Sequence, residues 1–396
     1  MSNFEASFCT GEPHVELKEI VSQYQHITHN SVSLRFIDWG DAWAEFRKMT
    51  LARNGSTVSE TGTTWMSSLS GRNDLRRFTP EEVRTIGGAG ISPKSIWESC
   101  IDAGSGAVVG IPWIVDTYLV FYRQDILDQA GVSEGEAFSS LDNFHQTLEK
   151  IKKLGGISPL ALPTSDSLST MHNAASWIWG HGGDFAARDG KSLKLDTPQA
   201  RDGIRQYFSL FEYMDSSVRG LTDEDCEAAF LQGKTAVILR NPSLLHALKI
   251  GRLQTEFRDR IRTAVQPGVP LIGGSNLVIW AYTPPTLIRP AVSFIKYLTD
   301  TEAQVAYFEA GGMLPARVEA LKRISADPDY APALQSFIAG RDMPFMPLWG
   351  LIEDKLASAF SGIWHAILET NGANINQTIE DVLVPVETRL NNILSQ

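Results

Sequence analysis

Three short stretches of the chain set carboxylates or hydroxyls beside large aromatic rings: Asp38, Trp39, Asp41 and Trp43; Gly62, Thr63, Thr64 and Trp65; and Asp116 with Tyr118. That mixture suits a polyhydroxylated molecule. A flat ring covers the apolar C–H face of a sugar, while carboxylates and amides take its hydroxyl hydrogens. Burying a tryptophan is favourable without any ligand, so each ring taken singly reads first as core. Their recurrence beside strand-like runs is what points to a ligand, because open α/β sheets bind outside the ends of their strands. The same carboxylates could serve as the acid and base of a glycosidase, which spacing in sequence neither supports nor excludes.

Other chemistries find little support. There is no His-Glu-x-x-His, no Gly-x-Ser-x-Gly and no paired-cysteine motif. The run Gly104-Ser-Gly-Ala-Val-Val-Gly110 lacks the lysine and Ser/Thr of a phosphate loop and reads as a hairpin or irregular loop. Cys9, Cys100 and Cys226 are an odd set without metal-ligand spacing. His26 and His29 read as surface helix residues, and His172 and His181, which flank Trp177 and Trp179, as capping or packing residues. Neither a cofactor nor a metal is expected.

The elements that must position these residues alternate between strand and helix. Strands are predicted over Phe4–Phe8, Val32–Ile37, Tyr118–Tyr122 and Thr235–Leu239. A turn at Gly11-Glu12-Pro13 follows the first of them. Helices are predicted over Val15–Tyr24, from about Asp41, and over Gln124–Ala130, Leu141–Leu154, Ser169–Trp179, Pro198–Met214, Asp223–Leu231, Pro290–Leu298, Glu302–Phe308 and Leu348–Leu368. Phe257–Val269 reads as extended or irregular. The fold class is α/β.

With 396 residues, two domains are the default. The composition, 43% hydrophobic and 20% charged, is that of a globular protein. A net charge of −11 argues against nucleic acid or an anionic membrane as the main partner. No run approaches the length of a membrane-spanning segment, and MSNFEASF lacks the form of a signal peptide. These features leave open a cytoplasmic protein or one whose targeting segment has been removed.

Longer blocks of residues are more specific. Gly110-Ile-Pro112 is followed by Asp116 to Tyr122, Asp125, Ala130 and Gly131; further blocks are FIDWGDAWAEF from Phe36, TGTTWM from Thr61, EAAFLQGKTAVIL from Glu227, and GGSNLVIW followed by AVSFIKYLTDTEAQVAYFEAGGMLPAR, which ends at Arg317. As an ordered set they resemble the extracellular solute-binding proteins of ATP-driven importers, specifically the carbohydrate-binding group that includes maltose-binding protein. One departure is Thr57, which stands where the family commonly has aspartate.

The resemblance implies a two-lobe periplasmic-binding-protein fold with a hinge and an interlobe ligand cleft. The first lobe would comprise 1–111 plus 273–317 and the second 116–268 plus 322–396, with crossovers near 110–116, 267–274 and 315–321. It implies capture of a sugar or small oligosaccharide and delivery to the membrane permease of an ABC importer, without catalysis. A polyol, an amino sugar or a cationic small molecule is the alternative ligand, and a carbohydrate-active enzyme the alternative class. The ligand-binding residues it suggests are Trp39, Asp41, Trp43 and Trp65 in the first lobe; Asp116, Tyr118, Trp179, Gly183 and Asp184 in the crossover and second lobe; and Asn276, Trp280, Gly312 and Met313 in the returning segment. It further implies a monomer, no nucleic-acid partner, and a location in the periplasm or at the cell surface on a lipid anchor.

Overall fold

The computed structural model describes residues 2–10, 15–346 and 348–395. The expected Gly11–Pro13 turn lies outside them. The chain divides into two compact units, the first made of Met1–Asp116, Gly273–Pro328 and Phe345–Gly350, the second of Thr117–Ile272, Asp329–Pro344 and Leu351–Gln396. In chain order the strands among the described residues are β1 (Asn3–Cys9), β2 (Ser31–Ile37), β3 (Val58–Gly62), β4 (Ile111–Thr117), β5 (Leu119–Arg123), β6 (Ser158–Ala161), β7 (Thr235–Arg240), β8 (Ile261–Val265) and β9 (Ile272–Ile279).

The sheet of the first unit has five strands in the order β2-β1-β3-β9-β4. β1 runs parallel to β2 and β3, whereas β9 runs antiparallel to β3, with Gly62 opposite Ser275 and Val58 opposite Ile279. Successive side chains of a strand point to opposite faces, and the two faces of this sheet accordingly carry separate cores. Phe4, Ala6 and Phe8 of β1, with Leu277 and Ile279 of β9, join Leu17, Ile20, Tyr24, Phe294 and Tyr307 on one face. Cys9, Val278 and Trp280 join Ala42, Phe46, Met49, Trp65 and Leu69 on the other.

The sheet of the second unit has four strands in the order β6-β7-β5-β8. β6 is parallel to β7, and β5 is antiparallel to both β7 and β8. Helix Leu141–Leu154 buries Phe144, Leu148 and Ile151 at the three- and four-residue spacing of one helical face, is capped by Ser140 and stops at Gly155. Helix Ser167–Gly180 is capped by Asp166, whose carboxylate accepts from the Ser169 amide, and buries Trp177 and Trp179.

The chain leaves the first unit after Asp116, returns at Gly273 and leaves again after Pro328. This third transfer comes later than the segment expected around 315–321. Helix Val318–Ile324 stays with the first unit because the residues before it are tied there. The Ala316 amide donates to the Trp113 carbonyl at 3.1 Å, the Arg317 amide to Gln304 Oε1 at 2.9 Å, and the Arg317 guanidinium to the Thr299 carbonyl at 2.7 Å. The brief return of Phe345–Gly350 to the first unit has no counterpart in the sequence reading.

Gly274 shows how tightly β9 is fitted. Its φ is +133°, and a β-carbon there would overlap the Ile114 carbonyl oxygen and press on Val115. Gly274→Ala is expected to destabilise the protein by roughly 3 kcal/mol, from backbone strain plus overpacking. Gly273→Ala, at a position with open space around it, should be close to neutral. Urea unfolding of the two variants checks this, and equal midpoints would show that β4 and β9 part without cost.

Candidate functional site

β1, β2 and β3 run parallel and end on one edge of their sheet, at Cys9, Ile37 and Gly62. Beyond β2, Asp38 caps helix Trp39–Ala52, its Oδ1 accepting from the Gly40 amide at 2.8 Å. That cap sets Trp39 and Asp41 in the first helical turn, where the helix dipole favours a carboxylate. Beyond β3, the turn Thr63–Trp65 leads directly into helix Met66–Gly71.

The two connections bring their aromatic rings together. The rings of Trp39 and Trp43 lie 5.6 and 5.8 Å from that of Trp65, and Phe46 lies 6.0 Å from it. Trp65 is only 6% exposed and forms the base of the cluster, whereas Trp39, at 36%, is its accessible ring. Two glycines permit the approach. Gly62 rests against Trp39 and Trp65, and a β-carbon on Gly350 would stand 2.8 Å from the Trp43 ring. The Gly350 amide also donates to Ser68 Oγ at 2.9 Å. Trp349, which opens helix Trp349–Glu369 and is fully buried, is thereby held next to the cluster, a placement that sequence reading missed.

Asp116 sits half-buried near the end of β4. Gly274 lies against Ile114 and Val115 while Gly110 lies against Asn276 and Val278, so β4 runs opposite to β9 and delivers Asp116 toward the edge that carries the tryptophans. Trp39, Asp41, Trp43, Trp65 and Asp116 therefore share one edge of the first unit.

In the second unit, Tyr118 immediately precedes β5. The Arg341 guanidinium stands over the Trp179 ring, 5.2 Å from its centre, and pairs with Asp184 at 2.5 Å. Asp184 also accepts from the Phe185 amide at 2.8 Å, so its carboxylate is already engaged within the unit. Arg341 carried no signal in the sequence, since its partners lie far away along the chain. Asn173 and Gln266 are buried amides whose side-chain atoms have no hydrogen-bond partner among the described residues.

Other expected residues are placed differently. Trp280 follows the end of β9 opposite the edge, is fully buried, donates to Ser59 Oγ at 2.7 Å and stacks on Tyr282. It touches the cluster through Phe46, 5.4 Å away. Asn276 is also fully buried, donating to Ser99 Oγ at 3.0 Å. Gly312 ends helix Thr301–Gly311 in the left-handed conformation, and Met313 packs on the first core. Gly183 lets helix Pro198–Ser209 approach at Ala200.

The bacterial extracellular solute-binding protein model matches residues 19–334. The chain belongs to that family. Its fold is similar to that of maltose-bound MalE3 of T. maritima, with a TM-score of 0.84 at 18% identity over 98% of this chain and 100% of the other. It is likewise similar to an ABC transporter solute-binding protein from Thermotoga lettingae bound with α-D-tagatose, TM-score 0.83 at 15% identity over the whole of both chains. A third similar structure is the solute-binding protein of Agrobacterium radiobacter K84 in complex with ribitol, TM-score 0.81 at 15% identity over 98% of each chain. No helix among the described residues of this solute-binding protein is long and apolar enough to cross a membrane.

Beneath the edge of the first unit, the solute-binding protein carries a group that sequence reading overlooked. Glu60 of β3 is buried on the face of the first core, and its carboxylate accepts from the Cys9 amide at 2.8 Å. Burial pushes the Glu60 carboxyl up from 4.5 to about 7, against the opposing pull of that amide, and its charge in turn helps to raise the Tyr307 phenol, which is raised chiefly by its own burial. A carboxyl whose folded value is raised binds its proton in the folded state where the unfolded chain has released it, so stability falls as pH rises from 4.5 to about 7. Glu60→Gln keeps an acceptor for Cys9 and removes the charge. The variant should match the parent near pH 4.5 and exceed its stability by up to about 3 kcal/mol near pH 8. Melting temperatures of both proteins across that range check it, and parallel curves would exclude Glu60 as the source of the pH dependence.

Proposed function

We propose that this solute-binding protein is the receptor of an ABC importer for a sugar, a small oligosaccharide or a polyol. The observation that carries the reading is the cluster of Trp39, Trp43 and Trp65, with an accessible ring at a strand-end edge that also receives Asp41 and Asp116. Rings of this kind cover C–H faces, and the carboxylates accept hydroxyl hydrogens. Tyr118, Trp179 and Asp184 are proposed as the solute-binding residues of the second unit. The maltose, tagatose and ribitol named with the three similar structures support a neutral polyhydroxyl ligand.

In this reading the solute leaves chemically unchanged, passed to a membrane permease. The protein acts as a monomer outside the cytoplasm, in the periplasm or tethered by lipid, and has no nucleic-acid partner. Asp41 and Asp116 together with the net charge of −11 favour, as a second reading, an amino sugar or other cationic solute.

A thermal-shift panel of maltose, D-tagatose, ribitol, glucosamine and spermidine separates these readings. A ligand at about 100 times its Kd adds about 2.7 kcal/mol to stability, so the neutral sugars or the polyol should give a saturable rise. A rise with spermidine alone would overturn the carbohydrate assignment. Trp39→Ala should weaken sugar binding about tenfold, the loss of one ring contact near 1.4 kcal/mol, and should lower the melting temperature without sugar only slightly, through the lost packing on Trp65. Calorimetric titration of the variant measures the first and a melting scan the second.

A further inference from the structure

We propose that Gln266 is a specificity-determining contact of the second unit, reading a hydroxyl group of the solute through its carboxamide; this rests on the sugar or polyol reading above. Gln266 directly follows β8. The β5–β8 register pairs Leu119 with Val265, and one further step sets Gln266 opposite Tyr118. Residues directly opposite in an antiparallel pair lie on the same face, so the backbone brings Gln266 to the residue through which the chain enters the second sheet.

The backbone after Gln266 is firmly held. The Pro267 carbonyl accepts from Ser176 Oγ at 2.5 Å, and the Val269 amide donates to the Ser176 carbonyl at 3.3 Å. Gly268, with φ at +85°, fits against that same carbonyl, where a β-carbon would overlap it. Gln266 itself is 1% exposed.

Despite that burial, neither Nε2 nor Oε1 of Gln266 has a hydrogen-bond partner among the described residues. Buried polar groups in native proteins are nearly always paired, and an unpaired amide is costly. The amide offers two donors and an acceptor without charge, which suits a hydroxyl that both donates and accepts. Such a group discriminates strongly between a solute with that hydroxyl and its deoxy analogue, since the analogue leaves the amide buried and unpaired. Asn173 shares the burial, but Gln266 is the amide that the strand register sets beside Tyr118.

The test compares the parent protein with Gln266→Met and the isosteric Gln266→Glu. Binding of maltose, D-tagatose and ribitol is measured by calorimetry, and melting temperature is measured without sugar. Methionine has similar length and no amide to leave unpaired. The expected result for Gln266→Met is a tenfold or greater loss of affinity for the probe that binds the parent, with a melting temperature equal to or above the parent's. Gln266→Glu, which keeps an acceptor and loses both donors, should also bind more weakly. An affinity of Gln266→Met within twofold of the parent overturns the proposal. A lower melting temperature for Gln266→Met overturns it too, because it shows that protein or buried water already satisfies the amide. If none of the three probes binds the parent, the carbohydrate reading fails by itself. The melting temperature of Gln266→Met then decides for Gln266, an increase supporting an amide reserved for solute and a decrease overturning it.

Discussion

The pleat of β9 is the constraint on which the first unit depends. Leu277 and Ile279 face one core, Val278 and Trp280 the other, so a single strand presents hydrophobic side chains to both faces of the sheet. A shift of one residue in its register would exchange every one of them. The register is held by the close fit of Gly274 at Ile114 and by the hydrogen bond of the Trp280 indole to Ser59 Oγ, itself 2.6 Å from Ser7 Oγ. Phe46 rests on Trp280 and Trp65 on Phe46. The accessible ring of Trp39 is thus the outermost layer of a stack that begins at β9.

This layering explains which parts of the site could be read from sequence. Asp38 through Trp43 and Thr61 through Trp65 are contiguous, and the end of a parallel strand is a local event, so their gathering was legible. The depth of a tryptophan is not. Trp65 and Trp280 both lie beside strands, but β9 runs against its neighbours, and the direction of a strand leaves no mark on its own residues. Arg341 and Trp349 were invisible for a related reason, since each meets its partners only after long detours of the chain.

The fold was legible where a single periodicity dominated. Helix Leu141–Leu154 has its apolar positions, its Ser140 cap and its Gly155 stop in the same short segment, and its observed bounds are those expected. β8 was blurred because Phe257–Val269 mixes a turn, a strand and a Pro-Gly bend within a few residues. The final helix, Ile375–Leu394, went unread; it contains Pro385, which lacks the amide for an interior helical hydrogen bond and reads locally as a break. Tertiary packing of Ile379, Leu383 and Leu390 keeps the helix continuous across it.

The order in which the chain is made gives the interrupted first unit a further meaning. Its sheet needs β9, and β9 follows the whole sequence of β5 to β8. A nascent chain therefore has every strand of the second sheet while β3 and β4 still lack the partner that lies between them. Non-local strand pairing of this kind is slow, because chain entropy is lost before contacts repay it. The amino-terminal segment, Met1–Asp116, emerges first but cannot complete its sheet until the middle of the chain has been made, so β3 and β4 wait for β9 while the second sheet already has all its strands.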